Sequence, residues 1–234
     1  MTRRTGPPRP AAGFLGEALA VFAKDWRAEL RSRYALSTIA LFALSSLVLV
    51  GLALGPLGTS SAERTSVLPV LLWVLLLFAA AAGLPRGFVH EEETHTATAL
   101  RLAATPAALY CGKLLHALSL LAALEALLAP LYLAVMQLPV ERPGLLVAAL
   151  GAGGFGLAAG STLVAAIVAQ ARGRGTLFAV LAFPVLVPLL LLAVELTRAA
   201  VAGDAAPGVL RQLLLYDATV TVAGLMLFPA IWNP

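Results

Sequence analysis

The chain has 234 residues, of which 60% are hydrophobic and 12% are charged, and its mean hydropathy is +0.92. A water-soluble domain of this size does not need so large an apolar share, so the composition predicts a membrane protein. A formal net charge of +4 would suggest nucleic acid as the partner of a soluble protein. Here membrane topology explains the basic residues better, and no nucleic-acid partner is expected.

The N-terminal segment precedes the first long apolar run. Residues 1–10 are rich in Arg and Pro and are predicted to be disordered. Residues 11–33 predict an amphipathic helix that lies in the membrane surface, with an ordinary helix packed on a partner protein as the alternative. The apolar stripe consists of Leu15, Leu19, Phe22, Trp26 and Leu30, and the opposite face carries Glu17, Lys24, Arg27 and Arg31.

Residues 34–234 contain six apolar runs, each near or above the roughly 17 to 25 residues that a helix needs to cross a bilayer. They predict an all-α transmembrane permease domain of six helices. The expected spans are about 35–55, 67–85, 114–138, 144–170, 176–196 and 213–232. A short surface helix is predicted at about 207–213, before the last span.

The distribution of positive charge predicts the orientation. Alternate segments, starting with the N-terminus, hold twelve Lys and Arg residues, whereas the other segments hold four. The positive-inside rule therefore places both termini and the loop 85–113 in the cytoplasm.

The loop 85–113 carries three consecutive carboxylates, Glu91–Glu93, ahead of a leucine- and alanine-rich stretch. Negative charge at a helix N-terminus complements the helix dipole, so a cytoplasmic helix is predicted at about 88–105. We interpret it as a coupling helix that docks another subunit. A merely solvated acidic face is the alternative.

Candidate functional residues also lie inside the predicted spans. Glu125 falls near the bilayer midplane, where an ionisable group is costly, and it is either functional or a carboxyl buried between helices. Pro130 follows on the same helix and allows a kink. Pro184 and Pro188, one turn apart, predict a hinge or a static kink.

Span 4 contains a GxxxG pattern at Gly156 and Gly160, which Ala152 extends by one turn. Small residues at this spacing predict close helix packing, within the bundle or across a dimer. In contrast, Glu195 and Asp217 are expected near the outer interface, with Arg198 and Arg211 as available partners.

No site for chemistry emerges from the sequence. A phosphate-binding GxxxxGK[ST] string is absent, as is any catalytic or zinc-binding constellation with suitable spacing, so we expect neither an enzyme nor a metal site. The conceivable haem ligands do not occur in pairs at a suitable spacing. These are His90, His95, His116, Met136 and Met226.

Several motifs follow one another in a distinctive order. The acidic Glu91–Glu93 precedes a leucine-containing stretch, then Pro106, then Gly112-Lys113 at the entrance to an apolar span. An RGRG turn at 172–175 and the string FPVLVPLLL at 183–191 come later. This order resembles the CcmB family, the haem exporter B permeases of cytochrome c maturation, over nearly the whole chain.

The resemblance implies an ABC-2-like permease in the bacterial inner membrane that forms a homodimer. Its expected partners are a CcmA-like ATPase, which would bind ATP, and CcmC-like, CcmD-like and CcmE-like haem-handling proteins. The expected function is to couple ATP hydrolysis to haem export or to release of the haem chaperone, with haem as cargo. The alternatives are a general ABC-2 exporter of another cargo and a non-transporting scaffold for these proteins.

The same resemblance identifies the residues that would couple this chain to the ATPase. They are Glu91, Glu92, Glu93, Thr96, Leu100, Pro106, Gly112 and Lys113. The chain departs from the family pattern at His95, where glycine is common.

Overall fold

The computed structural model describes residues 13–54, 61–84, 104–169 and 174–232. Within these residues the regular elements are all helices. They are α1 (Phe14–Ser32), α2 (Tyr34–Leu54), α3 (Ser61–Gly83), α4 (Pro106–Met136), α5 (Pro143–Ala169), α6 (Arg174–Ala202) and α7 (Pro207–Trp232). The predicted disordered segment 1–10 and the predicted coupling helix at 88–105, apart from its last residues, lie outside the described residues.

The prediction of an all-α, multi-span protein is confirmed. Helices α2 to α7 are each long and apolar enough to cross a membrane. Three of these six helices begin at a proline, Pro106, Pro143 or Pro207. Proline suits the first helical turn because its fixed φ is already helical and its missing N–H would have no partner there.

Two helices begin before the predicted starts of their spans. Helix α4 begins at Pro106, eight residues before the predicted start of span 3, so Gly112 and Lys113 lie inside a helix. Helix α7 begins at Pro207 and runs without a break to Trp232. The separate surface helix predicted at 207–213 is therefore the first part of the last long helix.

Helix α5 lies at the centre of the bundle, since 83% of the residues in its most apolar 18-residue stretch are buried. It contacts α4, α6 and α7, and its glycines let these neighbours approach its backbone closely. The ring of Trp73 on α3 lies directly over Gly153, and its Nε1–H donates to Oγ1 of Thr197 on α6 at 2.9 Å. This hydrogen bond satisfies the one polar atom of the tryptophan within the bundle.

The predicted row of small residues on α5, Ala152, Gly156 and Gly160, also lies near other helices. Gly156 lies against Leu189, and Gly160 lies against Leu186, both on α6. Ala152 is half-buried, beside a groove between α5 and α7. Two of the three residues in the row therefore receive side chains from the same neighbouring helix.

Replacing Gly153 with alanine adds a methyl group that overlaps the Trp73 ring. We expect the free energy of unfolding of the purified chain in detergent to fall by about 1 to 3 kcal/mol, as in other overpacked interiors. Gly151→Ala is the matched control because a Cβ at that position meets nothing within 4 Å. It should be neutral or stabilising, since alanine favours a helix. Equal losses in both variants would contradict the role of Gly153.

Candidate functional site

The N-terminus of α4 is capped by a residue from α1. Thr105, the residue before α4, has an extended backbone, and its side chain makes no capping hydrogen bond of its own. Instead, Oε2 of Glu17 accepts hydrogen bonds from the Thr105 backbone N–H and from its hydroxyl, both at 2.9 Å. These bonds lower the pKa of Glu17. A carboxylate here also faces the positive end of the helix dipole.

Helix α1 crosses α4 at Gly112. A Cβ on Gly112 would lie 2.7 Å from the carbonyl oxygen of Ala18 and 2.7 Å from Cβ of Val21. Both of these α1 residues are buried. A larger residue would push the helices apart, so the glycine sets their separation.

The next residue, Lys113, forms an ion pair with α1. Its Nζ lies 2.9 Å from Oδ2 of Asp25, and the two side chains are 3% and 11% exposed. Lys24 approaches Oδ1 of the same carboxylate at 3.1 Å. Burial raises the pKa of Asp25, but the two lysines outweigh that effect, so its pKa lies below the ordinary value of 3.8.

Together Glu17, Asp25, Thr105, Gly112 and Lys113 form the α1–α4 junction. A removed partner would leave a buried charge without compensation, which typically costs 3 to 5 kcal/mol. The junction therefore holds α1 on the bundle at two polar contacts with a close backbone contact between them.

Further contacts fix both ends of this arrangement. Oε1 of the buried Glu29, near the end of α1, accepts a hydrogen bond from the backbone N–H of Leu36 at 2.9 Å, close to the start of α2. Trp26 meets His116 of α4 edge-on, with ring centroids 6.0 Å apart. Helix α1 is therefore tied to the first turns of both α2 and α4.

On its other side, the start of α4 contacts α7. Tyr110 is fully buried, its hydroxyl lies over Gly224, and its ring lies 5.5 Å from that of Phe228. The first turns of α4 are thus wedged between α1 and α7. A displacement of this part of α4 must be accommodated by both neighbours.

The apolar stripe of α1 has a different environment from the face that contacts α4. Leu15, Leu19 and Leu30 are 73%, 56% and 52% exposed. The face that packs on the bundle uses Ala18 and Val21 instead. The described bundle leaves most of the stripe uncovered, which suits both an interfacial helix and a helix that packs on a partner protein.

The predicted ATPase-coupling residues are only partly described. Pro106 begins α4, whereas Gly112 and Lys113 contact α1. Coupling through these three residues remains a prediction. The others, Glu91, Glu92, Glu93, Thr96 and Leu100, lie outside the described residues.

Sequence reasoning missed Glu17 and Asp25 as functional candidates. The helical pattern predicts Glu17 on the solvated face of α1, and nothing in that pattern distinguishes a capping carboxylate from a solvated one. Asp25 gave a weak signal, because it is an isolated acidic residue beside Lys24 in a segment whose surroundings are basic. Only the docking of α1 on α4 reveals both roles.

Within the bundle, Glu125 of α4 lies against Gly154 of α5. Its Oε1 is buried and has no hydrogen-bond partner among the described residues. Its carboxyl thus packs between two helices at about the middle of α5, a position that both alternatives share. Pro130, just over one turn further along α4, is exposed.

The expectation for Asp217 is wrong. It lies over Gly156, the central residue of the 27-residue α5, and is 3% exposed. Neither of its carboxylate oxygens has a hydrogen-bond partner among the described residues, so Arg211 does not satisfy it. The glycine leaves space for the carboxyl on the inner face of α7. The Glu195–Arg198 pair does form, at 3.6 Å.

The two prolines of α6 lie in a continuous helix that α7 supports. The hydroxyl of Tyr216 donates to the carbonyl of Val185, between Pro184 and Pro188, at 2.8 Å. Neighbouring side chains commonly satisfy backbone groups near a proline in this way. The contact favours a supported kink over a free hinge.

The described residues contain no cluster of three or more His, Cys, Asp or Glu side chains suited to hold a metal ion. His116 instead packs beside Trp26 at the α1–α4 interface, and its Nδ1 is buried.

Lys113→Met should leave Asp25 buried without its main partner. We expect amide exchange across α1 to quicken by roughly 100-fold, equivalent to about 3 kcal/mol. Lys24→Met is the matched control, because Lys24 approaches the same carboxylate from an exposed position, and it should change exchange by less than about fivefold. Asp25→Asn combined with Lys113→Met should recover part of the protection. Similar effects of both lysine variants would argue against the buried pair.

The junction should also have a defined dependence on pH. The pKa values of Glu17 and Asp25 are both lowered, so their contribution is present above the ordinary carboxyl values and is lost as pH falls through the lowered ones. Protection of α1, corrected for intrinsic exchange, should therefore stay constant from pH 8 to 5 and fall below about 4. Asp25→Asn should weaken the acid step. A main loss between pH 7 and 5 would contradict this assignment.

The comparison with known proteins agrees with this architecture. The family model described as CcmB protein matches residues 17–231, which include all seven described helices except the first residues of α1 and the last residue of α7. No curated protein matches the sequence. The chain belongs to the CcmB family and is thus a multi-pass membrane component, a permease subunit, of a haem-export ABC system.

Proposed function

We propose that this chain receives the movement of a separate CcmA-like ATPase through the segment 85–105 and passes it to α1 and α4 together. The observation that carries the proposal is the α1–α4 junction, which begins where that segment ends. Thr105 is bonded to Glu17, and Lys113 is paired with Asp25 two turns further on. A push on the start of α4 would therefore move α1 as well.

The coupling segment itself is proposed from the sequence. Its acidic run, Glu91–Glu93, is the surface that would meet the ATPase, and in the helix predicted from the sequence Thr96 and Leu100 would follow one and two turns later. Pro106, Gly112 and Lys113 have another role in this scheme. They start α4 and attach α1 to it, so they transmit the movement without needing to touch the ATPase.

The exposed stripe of α1 gives the junction a second surface. With Leu15, Leu19 and Leu30 in the membrane interface and Arg27 and Arg31 toward anionic head groups, α1 would lie flat on the inner membrane. Both termini and the segment 85–105 are then cytoplasmic. The movement of α1 along this surface would be resisted by lipid and guided by α4.

Inside the membrane, the movement would pass from α4 to α5 and α6. Glu125 contacts Gly154, and Gly156 and Gly160 contact side chains of α6 near Pro184 and Pro188. Because glycine contacts place backbones close together, a shift of α4 cannot be absorbed by flexible side chains alone. The proposed outcome is a rearrangement of the bundle that exports haem or releases a haem-loaded chaperone.

The remaining parts of the system are proposed from family membership. They are haem as cargo, ATP in the CcmA-like partner, CcmC-like, CcmD-like and CcmE-like haem-handling proteins, and a homodimer of this chain in the bacterial inner membrane. Haem is written here as the substrate of the complex and is not assigned to residues of this chain.

The docking step is tested by changing Glu91, Glu92 and Glu93 together to lysine. We expect the co-purified ATPase to fall by at least tenfold, because the acidic surface becomes basic and repels a complementary partner. The control is Glu141→Lys with Asp204→Lys, two exposed residues beyond the opposite end of α4, and it should retain the ATPase. Unchanged co-purification of the ATPase with the triple variant would refute this segment as the dock.

The transmission step needs a different readout. Lys113→Met should leave the ATPase bound but reduce the ATP-dependent output of the complex, measured as release of the haem-loaded chaperone. This pattern separates a docking residue, whose loss removes the ATPase, from a transmitting one. Loss of the ATPase in Lys113→Met would place Lys113 in the dock instead.

A further inference from the structure

The strongest unexplained feature lies between α5 and α7, away from the α1–α4 junction. The two helices leave a groove of about 740 Å³ that opens on the outside of the bundle. Its walls are apolar apart from Asp217 and Thr221. The α5 wall includes Ala148, Gly151 and Ala152, and the α7 wall includes Leu214, Ala218 and Val222.

Asp217 makes this groove more than a lipid-facing surface. It is 97% buried, it lines the groove, and neither of its carboxylate oxygens has a hydrogen-bond partner among the described residues. An unsatisfied carboxyl costs free energy in a medium without water, whether it is charged or neutral. A hydrogen-bond donor that enters the groove would remove this cost.

Lipid cannot supply that donor at this depth. Asp217 lies beside Gly156, about 20 Å from either end of α5 at 1.5 Å per residue. Acyl chains have no donors, and head groups stay near the interface. A single water is poorly placed, because it needs two to four polar partners and the walls are largely apolar.

The shape of the groove suits another helix. Ala148, Gly151 and Ala152 are small residues at helical spacing on one face of α5, and a Cβ at Gly151 meets nothing within 4 Å. In membranes such faces let a second helix approach closely. Here the small residues flank the buried carboxyl, so close packing would bring a side chain of the incoming helix to Asp217.

The occupant should come from another protein. A second copy placed symmetrically on this groove would bring two carboxyls toward each other. It would not offer the Thr221 hydroxyl as a donor, because that hydroxyl already donates to the Asp217 backbone carbonyl at 2.7 Å. The undescribed segments of this chain are either shorter than a span or interrupted by charged residues. We therefore propose that the α5–α7 groove binds a transmembrane helix of a different subunit, which donates a hydroxyl, amide or basic group to Asp217.

The proposal is tested in the complex purified from native membranes through a tag on this chain. A photo-crosslinking residue replaces Leu214 or Val222 in the groove, which are both 53% exposed, and in control proteins it replaces Leu41 or Leu49 of α2, which are both 69% exposed. Both groove positions should crosslink to the same membrane-spanning segment of another chain, which carries a donor side chain near the crosslinked residue. The α2 positions should not give this adduct.

A second experiment tests whether Asp217 contributes to binding of the crosslinked subunit. Asp217→Leu should lower co-purification of the crosslinked subunit by at least tenfold, whereas Asp217→Asn, which keeps an acceptor oxygen, should lower it less. Removal of the donor from the partner helix should cause no further loss in the Asp217→Leu background. Gly151→Leu is a second variant that fills the groove without altering the carboxyl, and it should also release the subunit.

Three results would overturn the proposal. They are adducts with lipid only, adducts with a second copy of this chain, and losses that add independently for Asp217 and the partner donor. The ATPase should remain bound in every groove variant, because the groove is separate from the segment 85–105. A negative result in the crosslinking test therefore does not affect the proposed coupling role. A negative result in the ATPase pull-down likewise does not affect the proposed binding of a helix in the groove.

Discussion

A buried lysine near the start of a spanning helix needs a counter-charge, and in this protein the counter-charge is on a different helix. Lys113 is almost fully buried, and Asp25 of α1 provides its carboxylate at 2.9 Å. The preceding Gly112 lets α1 come close enough for this ion pair to form. Separation of α1 from α4 would break this ion pair and leave two unpaired charges in an apolar environment. The ion pair therefore holds α1 on α4. The position of the N-terminal helix, and the path from the segment 85–105 into the bundle, both depend on this contact.

The same constraint explains the interior of the bundle. Because lipid offers no hydrogen bonds, polar groups must find partners within the protein. Trp73 finds Thr197, and Tyr132 donates to the carbonyl of Leu68 at 2.8 Å. Asp217 finds none among the described residues, although α5 provides the space for its carboxyl at Gly156. The hydroxyl of Tyr110 and Oε1 of Glu125 also have no hydrogen-bond partner there, but of these three residues only Asp217 lines the open groove between α5 and α7.

The sequence predicted the number and approximate position of the spanning helices because hydropathy is a property of long runs. It could not predict which faces meet. Gly112 and Lys113 looked like the end of a loop, since the charge of Lys113 interrupts the apolar run, yet they lie two turns inside α4. Asp217 looked like an interfacial residue for the same reason. In both cases a local charge was read as a boundary, whereas a partner helix or a glycine allows that charge to be buried.

The glycine pattern of α5 was informative about packing but not about partners. Six glycines within one span predict close contacts, and the structure shows that different glycines face α3, α4, α6 and α7. Spacing along one helix cannot assign these neighbours, because each depends on the tilt and order of the others. Family membership fixes the class of system to which the chain belongs, but the contacts at α1 come only from the three-dimensional arrangement.

The central claim is that α1 and the start of α4 move as one body. It is tested most directly by spin-label distances in the complete ATPase complex, with one pair at Ala28 and Leu115 across α1 and α4, and another at Ala28 and Leu52 near the far end of α2. Between nucleotide-free and ATP-bound states the first distance should stay constant while the second changes. A change in the first distance with a constant second one would show that α1 is not carried by α4.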